Sequence, residues 1–91
     1  MANIGQFKVG EDWKKLDEIT ETTFNADSSY TIQNKGGNAL LVCEGASKPT
    51  GKEVGFILGQ NQAFGYTAKS GEYLWVKSFS GTTFFNIAEG V

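Results

Sequence analysis

Histidine and arginine are both absent from this 91-residue chain, and each absence argues against a class of function. Without histidine, catalysis by a serine–histidine or cysteine–histidine pair is excluded, and the commonest transition-metal ligand is missing. All eight basic residues are lysines, so the arginine forks that recognise phosphate and guanine cannot form. Only Lys14 and Lys15 are adjacent, and the other lysines are scattered. We therefore expect no nucleic-acid partner.

Cysteine and proline occur once each. The single Cys43 cannot form an intrachain disulfide, and one free cysteine is compatible with synthesis in a reducing cytoplasm. Because Cys43 lies inside an apolar run, it is predicted to be a buried, small apolar residue rather than a nucleophile.

Long apolar runs are also missing. No stretch approaches the ~20 apolar residues that span a bilayer, so we expect no membrane association. Residues 1–8 lack the charged segment and following apolar segment of a signal peptide.

The acidic residues and glycines do not form a recognisable catalytic or ligand-binding motif. Two carboxylates suffice for a glycosidase, but most of the ten acidic residues fall in predicted loops or at strand ends, where solvated charge is the simpler interpretation. Gly51-Lys52 is followed by Glu53, which departs from the phosphate-binding loop, and Asp27 does not begin a calcium loop. We expect no enzymatic activity, no catalytic residue, no metal site and no cofactor.

Glycine is abundant, with twelve residues, and it separates short runs rich in aromatic and β-branched side chains. From residue 29 onward, strand signals recur about every ten to thirteen residues, at 30–34, 39–44, 54–58, 63–67, 72–78 and 82–89. This spacing predicts an all-β fold, a small antiparallel sandwich or barrel of about six to seven strands. The turn sequence at 35–38 predicts that the first two of these strands form a hairpin. The run at 39–44 is apolar throughout, so this strand is expected to be buried on both faces or twisted over a corner.

The first third of the chain has a weaker pattern. Trp13, Leu16 and Ile19 are spaced by three, which favours a short helical turn over residues 12–17 with Asp12 as its N-cap. The alternative is an irregular segment followed by a short strand over 20–24. Residues 1–11 are interpreted as an N-terminal arm or edge strand, preceding a single β domain over residues 12–91.

Strand 72–78 contains the strongest candidates for an interface. Its alternation places Tyr73 and Trp75 on one face and Leu74 and Val76 on the other. If the second face meets the core, the two aromatic rings form an outward strip that binds a protein or stacks on a carbohydrate; the alternative places Trp75 in the core. We favour protein contact, because no converging polar donors can be assigned. The full set of candidate interface residues is Phe7, Trp13, Tyr66, Tyr73 and Trp75.

Most of the chain resembles small virion structural proteins of tailed bacteriophages. The resemblance is in Asp12-Trp13, in the residues at 30–36 and 41–50, in the strand that contains Gly55, and in the residues at 74–78. It implies a β-sandwich present in many copies on the capsid, as a decoration protein, or on the tail or a fibre. Its implied partners are other virion proteins and copies of itself, and its implied location is the virion, after synthesis in the host cytoplasm.

Chain length is consistent with assembly. A chain of this size buries only about 60–65% of its extended surface when it folds, so its core is thin. Without a disulfide or a metal, oligomerisation is the expected reinforcement. The alternative function is a small binding module that recognises a glycan or another host-surface ligand.

Overall fold

The computed structural model describes residues 2–21, 24–50 and 55–90. In these ranges the chain forms eight strands and one short helix: β1 Ala2–Val9, β2 Lys14–Lys15, α1 Leu16–Thr20, β3 Ser29–Asn34, β4 Leu40–Gly45, β5 Phe56–Leu58, β6 Ala63–Thr67, β7 Tyr73–Ser78 and β8 Thr83–Glu89.

Two four-stranded antiparallel sheets form a sandwich. Sheet A has the strand order β1-β8-β3-β6, and sheet B has the order β2-β7-β4-β5. The all-β sandwich prediction is confirmed, but the described residues contain eight strands rather than six to seven. The N-terminal β1 pairs with β8 at the edge of sheet A, with a register shift between Asn3 and Gly5.

The core fills the space between the sheets. Alternation along each strand directs one set of side chains inward, because successive residues point to opposite faces. Ile32, Leu74, Val76, Phe85 and Ile87 are fully or almost fully buried and belong to one cluster that joins both sheets. Of the run at 39–44, which was expected to be buried on both faces or twisted over a corner, only Leu40, Leu41 and Val42 are buried on both faces. Cys43 is half-buried and Glu44 is exposed.

The predicted helical turn over 12–17 is wrong in position. Lys14 and Lys15 are extended and pair with Val76 and Trp75 of β7, which extends sheet B by the short strand β2. The helix begins only at Leu16, whose side chain is fully buried, and Lys15 rather than Asp12 occupies its N-cap position. It ends at Thr20, and the C-cap residue Glu21 adopts a left-handed conformation with φ of 53°. The alternative strand over 20–24 includes residues 22 and 23, which lie outside the described residues.

The predicted hairpin of β3 and β4 is also wrong. β3 pairs with β6 and β8, and β4 pairs with β5 and β7, so residues 35–39 cross from one sheet to the other. The buried Asn34 side chain holds this crossing together. Its Nδ2 donates to the carbonyl oxygens of Asn38 and Leu58, both at 2.9 Å, and its Oδ1 accepts from the Gly36 backbone N–H at 3.2 Å.

Candidate assembly interface

The outward face of β7 contains two of the predicted interface residues. Leu74 and Val76 enter the main core, whereas Tyr73 and Trp75 belong to a second apolar cluster on the opposite face of sheet B. The predicted division of this strand into two faces is therefore confirmed. The rings of Tyr73 and Trp75 meet edge to face with centroids 6.5 Å apart, a favourable arrangement of two aromatic rings.

Trp13 packs against this cluster from the segment before β2. Trp13, Leu41 and Trp75 are its buried members, with Cys43 and Tyr73 partly buried beside them. Trp75 faces outward from the sandwich. It is nevertheless covered, because only 7% of its surface is exposed. The structure thus matches neither of the two alternatives for Trp75, the main core or an exposed strip. Cys43, which was expected to be buried, is half-buried.

Two lysines border the second cluster. Lys15 Nζ lies 4.0 Å from the centroid of the Tyr73 ring and 5.7 Å from that of Trp75. Lys77 Nζ lies 5.9 Å from the centroid of Trp13. An ammonium group over an aromatic face is attracted by the ring quadrupole, so the lysine stems cover apolar surface while their charged ends stay in water.

The turn after β4 is attached to the N-terminal segment. Lys48 Nζ lies 3.0 Å from Asp12 Oδ1, and Lys14 Nζ lies 3.6 Å from Asp12 Oδ2. The hydrogen bond and charge of Lys48, supported by Lys14, lower the pKa of the Asp12 carboxyl below its usual value. All three side chains are solvent-exposed, so these ion pairs contribute little to stability but restrict where the loop lies.

The other two predicted interface residues lie on the opposite sheet. Tyr66 is a buried member of the main core, 6.4 Å from Tyr30 between ring centroids. Burial, together with the nearby carboxylates of Asp17, Glu44 and Glu72, raises the pKa of Tyr66 to about 12. Phe7 is half-buried on β1, where its ring centroid lies 6.1 Å from that of Phe85. The structure therefore brings Trp13, Tyr73 and Trp75 together and places Phe7 and Tyr66 elsewhere.

An open pocket of about 280 Å³ lies where helix α1 approaches the start of β7. Phe24, Tyr66 and Tyr73 contribute aromatic surface to it, and Asp17 and Glu72 contribute carboxylates. Of the predicted residues, Tyr66 and Tyr73 thus meet at this pocket, although they belong to different clusters.

Among the described residues, the most exposed large apolar side chains are on β5. They are not among the predicted interface residues. Phe56 exposes 64% of its surface and Ile57 exposes 54%. Within the described residues, β5 is the last strand of sheet B and pairs only with β4. A signal was present in the sequence: Phe56-Ile57-Leu58 is apolar at three consecutive positions, a pattern typical of a strand covered on both faces. In the isolated chain only Leu58 is covered.

The two exposed side chains of β5 occupy different surfaces. Phe56 pairs with Val42 and points toward the interior side of sheet B, but it lies at the open edge of the sandwich, 5.7 Å from Phe64 of β6 between ring centroids. Ile57 pairs with the outward-facing Leu41, so it lies on the same side of sheet B as the second cluster. We call Phe56, Ile57 and the backbone edge of β5, which pairs with no strand within the described residues, the β5 edge. In the same ranges, Phe79 and Phe84 are the other exposed large apolar residues, at 46% and 44%.

Within the described ranges, no group of three or more His, Cys, Asp or Glu side chains is placed to hold a metal ion. No helix in those ranges is long and apolar enough to cross a membrane. No protein-family model matches the chain, and the comparisons with curated proteins and with solved structures give no significant match.

Proposed function

We propose that this chain is a non-enzymatic structural protein of a tailed-phage virion, which assembles in multiple copies on the capsid, as a decoration protein, or on the tail or a fibre. Its partners are other virion proteins and further copies of itself, without nucleic acid or membrane. The phage assignment rests on the sequence resemblance. The observation that supports assembly is the β5 edge.

The β5 edge has the properties of a surface that another protein covers. Full burial of one large apolar side chain contributes roughly 1.5–3 kcal/mol, so Phe56 and Ile57 leave a substantial stabilisation unused in the isolated chain. A free strand edge presents unpaired backbone N–H and C=O groups, and strand addition by a partner satisfies them. Natural monomers blunt such edges with charge, proline or bulges, and none of the three residues of β5 is charged or proline.

A strand added at this edge would cover the exposed apolar side chains of β5 and pair with its backbone N–H and C=O groups. Its backbone would pair with β5, and its alternating side chains would meet Phe56 on one face and Ile57 on the other. An added strand would also lie beside Phe64 of β6, because the Phe56 ring already contacts that side chain at the open edge. The partner strand is supplied by a second copy of the chain or by a neighbouring virion protein.

The oligomeric state tests this proposal. We expect light scattering coupled to size exclusion to show a concentration-dependent oligomer for the native chain, and a monomer for Ile57→Lys, which places a charge in the contact. The control is Phe79→Lys, a substitution of an exposed aromatic residue outside β5, which should assemble like the native chain.

Binding to capsids separates self-assembly from attachment to another virion protein. We expect the native chain, and not Ile57→Lys, to sediment with capsids or tails of the phage whose genes adjoin its own. A chain that is monomeric at every concentration and binds neither structure would contradict the proposal, as would adjoining genes of an unrelated class.

A further inference from the structure

The outward surface of sheet A is uncharged across two complete rows of side chains. Cross-strand partners point to the same side of a sheet, so the register defines each row. One row consists of Asn3, Ala88, Thr31 and Gly65, and the next consists of Gln6, Asn86, Gln33 and Ala63. We call these eight residues, with the adjoining Phe84, the neutral face. Two lysines lie at its border beside Phe84: Lys8, the partner of Phe84 on β1, and Lys35, whose backbone N–H donates to the Phe84 carbonyl oxygen.

Several polar side chains on and beside this surface are held in place before any ligand arrives. Asn86 Nδ2 donates to Asn3 Oδ1 at 2.8 Å, which links β8 to β1 across the surface. Gln33 Nε2 donates to the Asn61 backbone carbonyl oxygen, also at 2.8 Å. These bonds already restrict the amide side chains. Binding of a ligand to them therefore costs less protein side-chain entropy.

Small residues keep this surface flat. Ala63, Ala88 and Gly65 surround Thr31 and Gln33, and a Cβ added at Gly65 would have no atom within 4 Å. At one end of the surface, Phe84 exposes 44% of a ring that belongs to a central strand of the sheet. The neutral face therefore combines a flat row of amide groups with a single exposed aromatic ring.

The composition of the neutral face selects the class of ligand. Anionic polymers, such as nucleic acids, are bound mainly through clusters of lysine and arginine, whereas the two rows contain no lysine and only Lys8 and Lys35 border the surface, beside Phe84. The centre of a protein–protein interface is usually apolar and aromatic, and here the one large apolar side chain is at the end. A neutral, polyhydroxylated ligand can bond to the amides and lay an apolar ring face on Phe84.

We infer that the neutral face binds a neutral glycan chain, which lies across the strands and stacks one sugar ring on Phe84. A chain in this direction meets a new strand about every 4.8 Å, so consecutive sugars reach side chains from β1, β8, β3 and β6. The site differs from the one expected for a glycan on Tyr73 and Trp75, which are partly or almost fully covered. It does not depend on the proposed function, because the β5 edge belongs to sheet B.

The experiment is affinity electrophoresis of the full chain in gels that contain soluble glucan, mannan, galactan or, as acidic polymers, alginate and polygalacturonate. We expect at least one neutral polysaccharide to retard the chain, and salt to leave that retardation unchanged, because a neutral ligand carries no charge for the bordering lysines to attract. Titration with the strongest binder then gives the affinity of each variant.

Two substitutions test the location of the site. Phe84→Ala, which removes the stacking ring, should weaken binding about tenfold, which corresponds to about 1.4 kcal/mol. Gly65→Ile, which adds bulk to open space without removing any contact, should weaken binding at least as much while the melting temperature stays the same or rises. Their matched controls are Phe79→Ala and Gly37→Ile, at an exposed ring and an open glycine outside the neutral face, and both should bind like the native chain.

Three outcomes would overturn the inference. The first is that no neutral polysaccharide retards the chain. The second is that only the acidic polymers do so, with binding that disappears as salt is raised. The third is that Gly65→Ile, shown to be folded, binds as tightly as the native chain. Since Gly65→Ile has room for its side chain, the inference can be tested even if Phe84→Ala does not fold.

Discussion

The Trp75 indole Nε1 donates a hydrogen bond to the Gly45 backbone carbonyl oxygen over 3.0 Å. Gly45 is the last residue of β4 and pairs with Tyr73, so this bond adds a side-chain link between β7 and β4 on the outward face of sheet B. Together with Trp13, it leaves Trp75 only 7% exposed on the outward side of the sandwich. Alternation predicts that the outward side of β7 faces solvent. Residues distant from β7 in the sequence nevertheless cover Trp75 there.

Replacement of Trp75 tests the energetic role of this outer cluster. Trp75→Ala should lower the free energy of unfolding by about 3–5 kcal/mol, because it removes a large buried side chain. Trp75→Phe keeps an aromatic ring but loses the bond to Gly45, so we expect a smaller decrease of about 1–2 kcal/mol. Urea denaturation followed by circular dichroism measures both. Phe79→Ala is the control, because an exposed ring should change stability by less than about 0.5 kcal/mol. Equal decreases in the free energy of unfolding for Trp75→Ala and Phe79→Ala would show that the outer cluster does not stabilise the fold.

The close approach of the crossing segment to β8 explains the glycine at position 36. A Cβ at Gly36 would lie 2.8 Å from the Phe84 backbone nitrogen and closer still to Thr83 Oγ1. Gly36→Ala should therefore destabilise the protein by about 1–3 kcal/mol, since the crossing and β8 must move apart. The neighbouring Gly37 has open space around it, so Gly37→Ala should stay within about 0.5 kcal/mol of the native chain. Thermal unfolding of the two variants side by side provides the comparison. If Gly37→Ala proved the more harmful of the two, the close approach would not be the cause.

A double-mutant cycle measures the network that holds the two sheets at this crossing. Thr83 Oγ1 lies 2.8 Å from both Asn34 Oδ1 and the Asn38 carbonyl oxygen, and all three atoms are buried or partly buried. Thr83→Val alone should cost about 1–3 kcal/mol, because it leaves polar atoms with fewer partners. Asn34→Ala should cost more, since it removes four hydrogen bonds at once.

The coupling between the two substitutions is the informative quantity. We expect the double variant Asn34→Ala/Thr83→Val to be less destabilised than the sum of the single variants, by about 1 kcal/mol, because both remove the same bond. Strictly additive effects in urea denaturation would mean that the Asn34–Thr83 bond makes no net contribution. The pair Ser29 and Thr67, whose hydroxyls are 3.2 Å apart at the surface, is a suitable control cycle with an expected coupling near zero.

The parts of this structure that sequence could predict are those that depend on local alternation. The spacing of strand signals predicts the all-β sandwich, and alternation along 72–78 predicts the separate faces of Leu74 and Trp75. Local pattern does not predict β2, because two lysines have no strand signal of their own and are extended only through pairing with β7. A turn sequence at 35–38 fits a hairpin and a crossing between sheets equally well. The long-range bonds of Asn34 and Thr83 favour the crossing.

The candidate site shows the same division between local and long-range information. Five aromatic residues were predicted as interface candidates because aromatic residues stand out in the sequence, and three of them, Trp13, Tyr73 and Trp75, form one cluster. The coverage of Trp75 depends on Trp13 and on the bond to Gly45 of β4, partners distant in sequence that no local pattern identifies. Phe56 and Ile57 were missed because exposure there follows from the edge position of β5, a property of sheet order rather than of any short segment.

Alkaline pH should weaken the fold through Tyr66. Because burial raises the pKa of Tyr66 to about 12 in the folded protein, against about 10 in the unfolded chain, the folded state favours the neutral phenol. This contribution is fully present below pH ~10 and is lost as the pH rises from ~10 through ~12.

The test of this dependence is urea denaturation between pH 8 and 11, with Tyr66→Phe as the matched variant. The native chain should lose stability more steeply than Tyr66→Phe above pH ~9.5, because phenylalanine has no group to ionise. The two proteins share every other ionisable group, so the contribution of those groups cancels in the difference between the two curves. Parallel curves for the two proteins would mean that the Tyr66 hydroxyl ionises as easily in the folded chain as in the unfolded one.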